Sequence, residues 1–415
     1  MTAAPVTAVV TGVGVVSGWG WGAEATWRGL LSGGTAIGPF ARFDSSSYRT
    51  HVAAEVPPAP DDVAAAVPGW ERLNGVERFA VAAAREALAA AGLLDAAGRP
   101  APALAEAAVF FGSSTGGMLE GEEFYLRLHG ASPGRPRLAL LAGQPVSSPA
   151  EAVGRFAGVG GPVETVSSAC ASGTMALARA LDALRSGEVE LALAGGADSL
   201  CRVTFGGFNA LRSVDERPCR PFRGDREGLS IGEGGAVLVV ETAESAARRG
   251  APVLAELVGA ASTSDADHMT APHPEGEGAA RALTGALADA GLAPGQIAFV
   301  NAHGTGTPLN DAAEWKALAA VFGAAAPRLP VTAPKGSVGH LLGSAGALEA
   351  VATVLCLARG VLHPTAGGGA VDPGTPLDLA TSARPLAAAG GAPLHAVSLN
   401  LAFGGCNAAL VFSAA

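Results

Sequence analysis

Thr165-Val-Ser-Ser-Ala-Cys170-Ala-Ser-Gly173 is the stretch on which the reading of this chain turns. An apolar strand end gives way to small residues, then a cysteine, then a helix. That helix runs from Ala171 to Ser186, with Leu177, Leu181 and Leu184 inward and Gly187 as its stop. A strand running directly into a helix is the unit of an α/β fold. A thiol at a helix N-terminus feels the positive end of the dipole, which favours the thiolate. The small neighbours Ala169, Ala171 and Gly173 leave room for a bulky acyl group. On this stretch alone a buried structural cysteine is an equal reading, because burial is the usual fate of the residue.

The alternation extends in both directions. Val6 to Val16, Val109 to Gly112, Val189 to Ala194 and Ala236 to Val240 read as strands, and Val76 to Ala91 as a helix. Ile297 to Val300, Pro330 to Thr332, Val397 to Leu401 and Ala408 to Phe412 repeat the strand pattern. Asp311 to Phe322 reads as a helix whose Asp311 and Glu314 give a capping-box-like start. Pro57 to Pro68, Arg99 to Ala103 and Ala366 to Thr375 read as surface loops. With 415 residues, two domains or two fused halves are the default.

Composition narrows the class. Hydrophobic residues make up 49% and charged residues 15%, which suits a large core with more surface hidden in an oligomer. The formal net charge of −10 argues against nucleic acid, which needs a basic face. It also means that an acidic partner must find a local basic patch. Five widely spaced cysteines suggest neither a disulfide framework nor zinc. The N-terminus lacks the pattern of a signal peptide. Leu341 to Ala358 is apolar but interrupted by Glu349, so it reads as a buried helix rather than a membrane span. A cytoplasmic enzyme is the expected class.

Two further segments place reactive residues at strand ends. Asn301-Ala-His303-Gly-Thr305-Gly-Thr307-Pro308 makes an open polar turn, and a turn histidine bonded to backbone is its plainer reading. Pro334-Lys335-Gly-Ser-Val-Gly-His340-Leu-Leu-Gly puts a lysine and a histidine on a glycine-rich loop before an apolar helix. A solvated loop is the plainer reading there. Gly12-Val-Gly14 resembles a dinucleotide fingerprint, but Ser17 stands where the third glycine belongs. Asp265, Asp267, His268 and His273 fit no standard metal spacing, so no metal is expected. His51, His129, His363 and His395 have no catalytic context and read as surface or structural.

Taken together, the three segments resemble the β-ketoacyl carrier-protein synthases of the elongating Cys-His-His type. The resemblance spans nearly the whole chain. It runs from Val9-Val-Thr-Gly-Val-Gly-Val-Val-Ser17 and Thr26-Trp-Arg-Gly-Leu-Leu31 through Arg220-Pro-Phe222, Asp225-Arg-Glu-Gly228, Gly232-Glu-Gly234 and Ser264 to Pro272. It closes at Phe403-Gly-Gly-Cys-Asn407.

The resemblance implies a thiolase-like α/β fold, two similar halves stacked as five layers, helix–sheet–helix–sheet–helix. Residues 1–252 form the half carrying Cys170 and 253–415 the half carrying both histidines. It implies a decarboxylating condensation, joining an acyl group on Cys170 to a malonyl unit on a carrier protein. Cys170, His303, His340, Lys335, Glu349 and Phe403 match the family's catalytic positions. Thr305 and Thr307, with Thr270 as a weaker match, fall where the phosphopantetheine arm is held. Thr115 and Ala169 fall where acyl-chain room is set. Thr115 is smaller and more polar than the isoleucine common there, which suits a longer, unsaturated or partly oxidised chain. Arg212 matches a carrier-contacting arginine, and Arg72 and Arg78 are weaker docking matches. No cofactor is expected on the enzyme itself. The implied partners are an acyl carrier protein and a second ketosynthase-type subunit, in a homodimer or a heterodimer with a chain-length-factor-like chain. The shorter loop Asn209 to Pro221, and Cys406 in place of the usual threonine, look more like ketosynthases of bacterial polyene or other secondary-metabolite pathways. A chain-length factor itself, or a cysteine hydrolase or acyltransferase with one histidine base, are the competing readings.

Overall fold

The structure is a computed structural model and describes residues 6–386 and 392–415. Its first half contributes five core strands: β1 (Ala8–Ser17), β2 (Ala108–Gly112), β3 (Val163–Val166), β4 (Leu191–Asp198) and β5 (Gly234–Thr242). They lie side by side in the order β1-β5-β4-β2-β3, with β2 parallel to β3 and β4, and β5 antiparallel to β4 and β1. The second half contributes β6 (Ala255–Ser264), β7 (Ile297–Asn301), β8 (Pro330–Thr332), β9 (His395–Leu401) and β10 (Cys406–Ala414). Their order is β6-β10-β9-β7-β8, with the same parallel and antiparallel pairs in the same places. The halves therefore share one wiring. Their sheets meet edge to edge where β1 pairs antiparallel with β6, from Ala8↔Leu257 to Val10↔Ala255. The chain crosses between them after the helix Ala243–Arg249, with Gly250 in the left-handed region as its stop.

Six helices complete the layers: α1 (Gly75–Ala90), α2 (Ser148–Ala157), α3 (Ser172–Arg185), α4 (Glu277–Asp289), α5 (Pro308–Phe322) and α6 (Ala345–Arg359). The apolar faces of α1 and α2 pack with Val109, Leu193 and Val239 on the outer face of the first sheet. Those of α4 and α5 pack with Val300, Val331 and Val397 on the outer face of the second. The α3 and α6 helices lie between the sheets, against Phe110, Leu238, Leu257 and Phe412. The result is the five-layer order of a thiolase-like fold. The apolar stretch around Leu342–Arg359 is the core helix of this arrangement, 89% buried. Asn74 and Glu77 close a reciprocal capping box at the start of α1.

Glycines set the close approaches. A Cβ at Gly14 would lie 2.0 Å from the Ala83 carbonyl oxygen, so the Gly-Val-Gly run serves the packing of β1 on α1. A Cβ at Gly173 would lie 2.7 Å from the Ala347 nitrogen. The two central helices can cross there only without one.

One sequence expectation is corrected here. The helix α5 begins at Pro308, not Asp311, and its N-cap Thr307 has no side-chain cap. Asp311 and Glu314 are fully buried and turned to the preceding loop instead.

Candidate active site

Cys170 follows β3 and precedes α3, at the C-terminal ends of the parallel strands where ligand sites of α/β sheets form. Ala169 has φ 46°, a left-handed conformation that L-residues adopt only under constraint. Ser172 supplies part of that constraint. Its hydroxyl accepts from Ser168 N at 2.8 Å and donates to the Ala169 carbonyl at 2.6 Å, while Ser114 Oγ donates to the same carbonyl at 3.0 Å. The turn leaves the cysteine side chain lining a cavity of about 260 Å³ between the halves.

Both histidines line this cavity with Cys170. Their rings stand 5.4 Å apart and nearly perpendicular. Each is held from its Nδ1 side. His303 Nδ1 faces Lys335 Nζ at 3.0 Å and Asn400 Nδ2 at 3.1 Å. His340 Nδ1 accepts from Leu342 N at 3.2 Å. Burial holds both imidazoles well below their usual pKa, reinforced by the Lys335 ammonium, and at His303 also by His340. Both rings are therefore neutral, with one N–H each. Because only donors face the Nδ1 atoms, the hydrogens sit on Nε2, the nitrogens left for the cavity.

Lys335 is 1% exposed and uses all three ammonium hydrogens, on Glu349 Oε1, the His303 carbonyl at 2.6 Å and His303 Nδ1. It opens a short buried helix, Lys335–Val338, so the solvated-loop reading fails. Burial pushes Glu349 upward against the pull of Lys335 and Asn400. The network continues from Glu349 Oε2 to Asn400 Nδ2 at 2.5 Å, and from Asn400 Oδ1 to Thr174 Oγ1 at 2.5 Å. Behind His303, Glu314 accepts from His303 N at 2.6 Å and Gly304 N at 2.8 Å, and Asp311 accepts from Gly306 N and Phe222 N. Burial pushes Glu314 up to about 8, against its backbone donors and with the help of neighbouring Asp311.

Burial also decides the state of the cysteine. It pushes the Cys170 thiol up to about 11, against the Lys335 ammonium and a hydrogen bond from Phe403 N–H. The activation expected from the helix N-terminus alone is therefore overcome in the resting site. At neutral pH this holds the group as the thiol.

Thr270, Thr305, Thr307, Phe403 and Arg212 also line the cavity. The Thr305 and Thr307 hydroxyls bond each other at 2.9 Å, and the Phe403 ring leans on Phe208 at 5.5 Å. Other matches lie elsewhere. Thr115 and Ala169 are outside the cavity lining, and the Thr115 hydroxyl donates to buried Asp198 at 2.8 Å. Its polarity is thus taken up by a carboxylate. Arg72 and Arg78 line a separate cleft of about 1240 Å³, and Arg78 stacks on Trp70. His363, with no context in the sequence, is fully buried against the Thr332 hydroxyl.

Sequence reasoning passed over Asn400, Thr174 and Asp198. Asp198 ends β4 and accepts from Ser113 Oγ, Thr115 N and Gly343 N, tying the first half to the loop after His340. The signal for Asn400 was a polar residue inside the apolar run Val397–Leu401, at the end of a core strand.

Residues 7–246 match the N-terminal domain of β-ketoacyl synthases and residues 254–368 the C-terminal domain. The chain belongs to the β-ketoacyl synthase family. It is 35% identical over 414 residues to the 3-oxoacyl-[acyl-carrier-protein] synthase 2 of Staphylococcus aureus, covering 97% of this chain and 100% of that one. Among solved structures it resembles the ishigamide ketosynthase/chain length factor, at 34% identity and TM-score 0.91, over 99% of this chain and 100% of that one. It also resembles the AntDE:AntF structure, a type II polyketide acyl-carrier protein in complex with its ketosynthase. There the identity is 28% and the TM-score 0.87, over 99% of this chain and 100% of that one.

Proposed function

We propose that this chain is a cytoplasmic ketosynthase that condenses an acyl group on Cys170 with a malonyl unit on a carrier protein, in fatty-acid-like or type II polyketide or polyene synthesis. The observation that carries the reading is the pair of neutral histidines with both Nε2–H groups left for the cavity that Cys170 also lines. Two such donors fit an oxyanion, here the enolate oxygen of a malonyl thioester that has lost CO2. They do not fit a hydrolase, whose cysteine needs a nitrogen lone pair as base. A chain-length factor that lacks the nucleophile is disfavoured by Cys170 in its turn.

In the first stage the Cys170 sulfur attacks the acyl thioester as its thiol proton is given up, and the oxyanion is held by the N–H groups of Cys170 and Phe403. The C–S bond to the carrier's arm breaks, and the departing thiolate takes up the proton and leaves as the thiol. The malonyl thioester then enters along the Thr305 and Thr307 hydroxyls, with Thr270 near the mouth. Its C–CO2 bond breaks, and the electron pair passes to the thioester oxygen, held by His303 and His340. The enolate carbon attacks the acyl carbon on Cys170, the C–S bond breaks, and the β-ketoacyl carrier product departs. In this reading 1–252 supplies the nucleophile and 253–415 the decarboxylating pair, with Lys335 and Glu349 supporting His303. A second ketosynthase-type subunit, identical or chain-length-factor-like, fits beside β3, the open end of the first sheet. Incubation with acyl-carrier protein and then malonyl-carrier protein should give an acyl adduct on Cys170 and stoichiometric CO2. An adduct at another cysteine, or none with competent partners, refutes the reading.

Docking is proposed at the cavity mouth, where exposed Arg212 stands beside Leu211. With a net charge of −10, an acidic carrier is drawn in only by a local positive patch. Arg72 and Arg78 remain secondary candidates from their own cleft. Arg212→Glu is expected to weaken carrier-dependent turnover several-fold, on the order of the ~1 kcal/mol of a rim charge. The loss should lie in association and shrink with added salt. Labelling of Cys170 by a small thiol reagent should be unchanged. Identical carrier kinetics and salt response in the variant would place the patch elsewhere.

A further inference from the structure

We propose that Asn400 is a positioning residue for decarboxylation, which fixes the His303 tautomer and couples it to the helix that follows the nucleophile. The proposal rests on the reading of His303 as an oxyanion donor.

The side chain is fully buried and has three partners on three different segments. Its amide nitrogen faces Glu349 Oε2 at 2.5 Å and His303 Nδ1 at 3.1 Å, and its oxygen faces Thr174 Oγ1 at 2.5 Å. These neighbours orient the amide. Glu349, paired with Lys335, only accepts, so NH2 must face it, and the Thr174 hydroxyl then donates to the oxygen. Had the amide the opposite orientation, its oxygen would confront the carboxylate and would draw a hydrogen onto His303 Nδ1. That tautomer would turn a bare Nε2 lone pair toward the enolate oxygen. Thr174 stands four residues after Cys170, in the first turn of α3, at the crossing where a Cβ on Gly346 would strike the Thr174 hydroxyl. The chain of Thr174, Asn400 and His303 thus links the nucleophile's helix to the decarboxylating ring. Lys335 also faces Nδ1, but it is itself held by Glu349, which Asn400 holds in turn.

The titratable groups around the ring are Lys335, Glu349, His340, Cys170 and, behind its backbone, Glu314. Asn400→Asp keeps the shape and replaces the donor with an acceptor. CO2 release from malonyl-carrier protein is expected to fall on the order of a hundredfold at pH 8, the scale of a misplaced catalytic group. The fall should be in kcat rather than KM, with acyl loading of Cys170 retained. The distinctive readout is pH. Protonation of the new carboxyl or of the imidazole restores a hydrogen on Nε2, so activity of the variant should recover as pH falls from 8 to 6, whereas the wild type should not gain. Thr174→Val, which takes the donor from the buried amide oxygen and loosens the hold of Asn400 on His303, should lose decarboxylation in the same selective way but to a smaller degree. Thr174→Ser, which keeps the hydroxyl, should recover most of that loss.

If the wild type releases CO2 and Asn400→Asp matches it in rate and pH profile, the positioning role is wrong and the ketosynthase reading stands. Equal loss of loading and decarboxylation in Thr174→Val also overturns it, since that is what a merely structural residue would give. Absence of CO2 release from the wild type with competent carriers overturns both.

Discussion

Cys170→Gln is expected to abolish acyl transfer to the protein and to lower condensation by on the order of 10⁴-fold or more, the scale on which enzymes lose rate without their nucleophile. The same variant is expected to keep releasing CO2 from malonyl-carrier protein. The two activities separate because they use different halves of the site. Acyl transfer needs the sulfur, whereas decarboxylation needs the Nε2–H groups of His303 and His340, whose Nδ1 partners do not include Cys170. The glutamine amide also resembles an acylated side chain in shape. Its carbonyl can accept from Phe403 N–H, the group that reaches the sulfur in the native site, so the polar head is not left unsatisfied in a buried position. Acyl adducts followed by mass spectrometry and CO2 trapped from labelled malonyl-carrier protein read the two halves independently. Persistence of condensation would remove Cys170 from the chemistry. Loss of both activities, with the fold intact by calorimetry, would mean that the cysteine and the histidines act as one unit.

The local rules of the sequence reached most of the elements, because each is written in a few neighbouring positions, whereas the candidate site residues were singled out by the resemblance and not by local pattern. Pro330 to Thr332 was legible to the residue, and Cys170 stands at the strand–helix junction that its small neighbours suggested. The start of α5 was misread because Asp311 and Glu314 look like caps in sequence. Their partners, Phe222 N, His303 N and Gly304 N, are visible only once the preceding loop has folded back. Distance in the chain hid the rest. Thr174 and Asn400 are separated by 226 positions, and no local pattern marks a pair that meets at the crossing of two core elements. Thr115 shows a related effect. Its polarity reads as a feature of an acyl pocket until Asp198, 83 residues on, takes the hydroxyl. The raised Cys170 is likewise a property of burial, which the helix-start position does not reveal.

His303→Ala and His340→Ala are each expected to lower decarboxylation about a hundredfold or more, the usual loss for one oxyanion donor, with acyl loading of Cys170 far less affected. The two variants should differ in stability. His340 Nδ1 accepts one backbone N–H, from Leu342, so its removal leaves a single donor that a water can serve. His303 Nδ1 faces both Lys335 and Asn400, and its loss strips a partner from a buried ammonium. Leaving a buried donor unmatched costs about 1–3 kcal/mol, and more for a charged one, so His303→Ala should melt at a lower temperature than His340→Ala. Glutamine separates the two possible roles of the rings. A glutamine amide can place an N–H near the position of a histidine Nε2, but it has no basic nitrogen. His340→Gln should therefore retain a substantial part of the decarboxylation that His340→Ala loses. If glutamine is as poor as alanine at every pH, the ring acts through its lone pair, and the donor pair that distinguishes a condensing site from a hydrolytic one is not what this cavity uses.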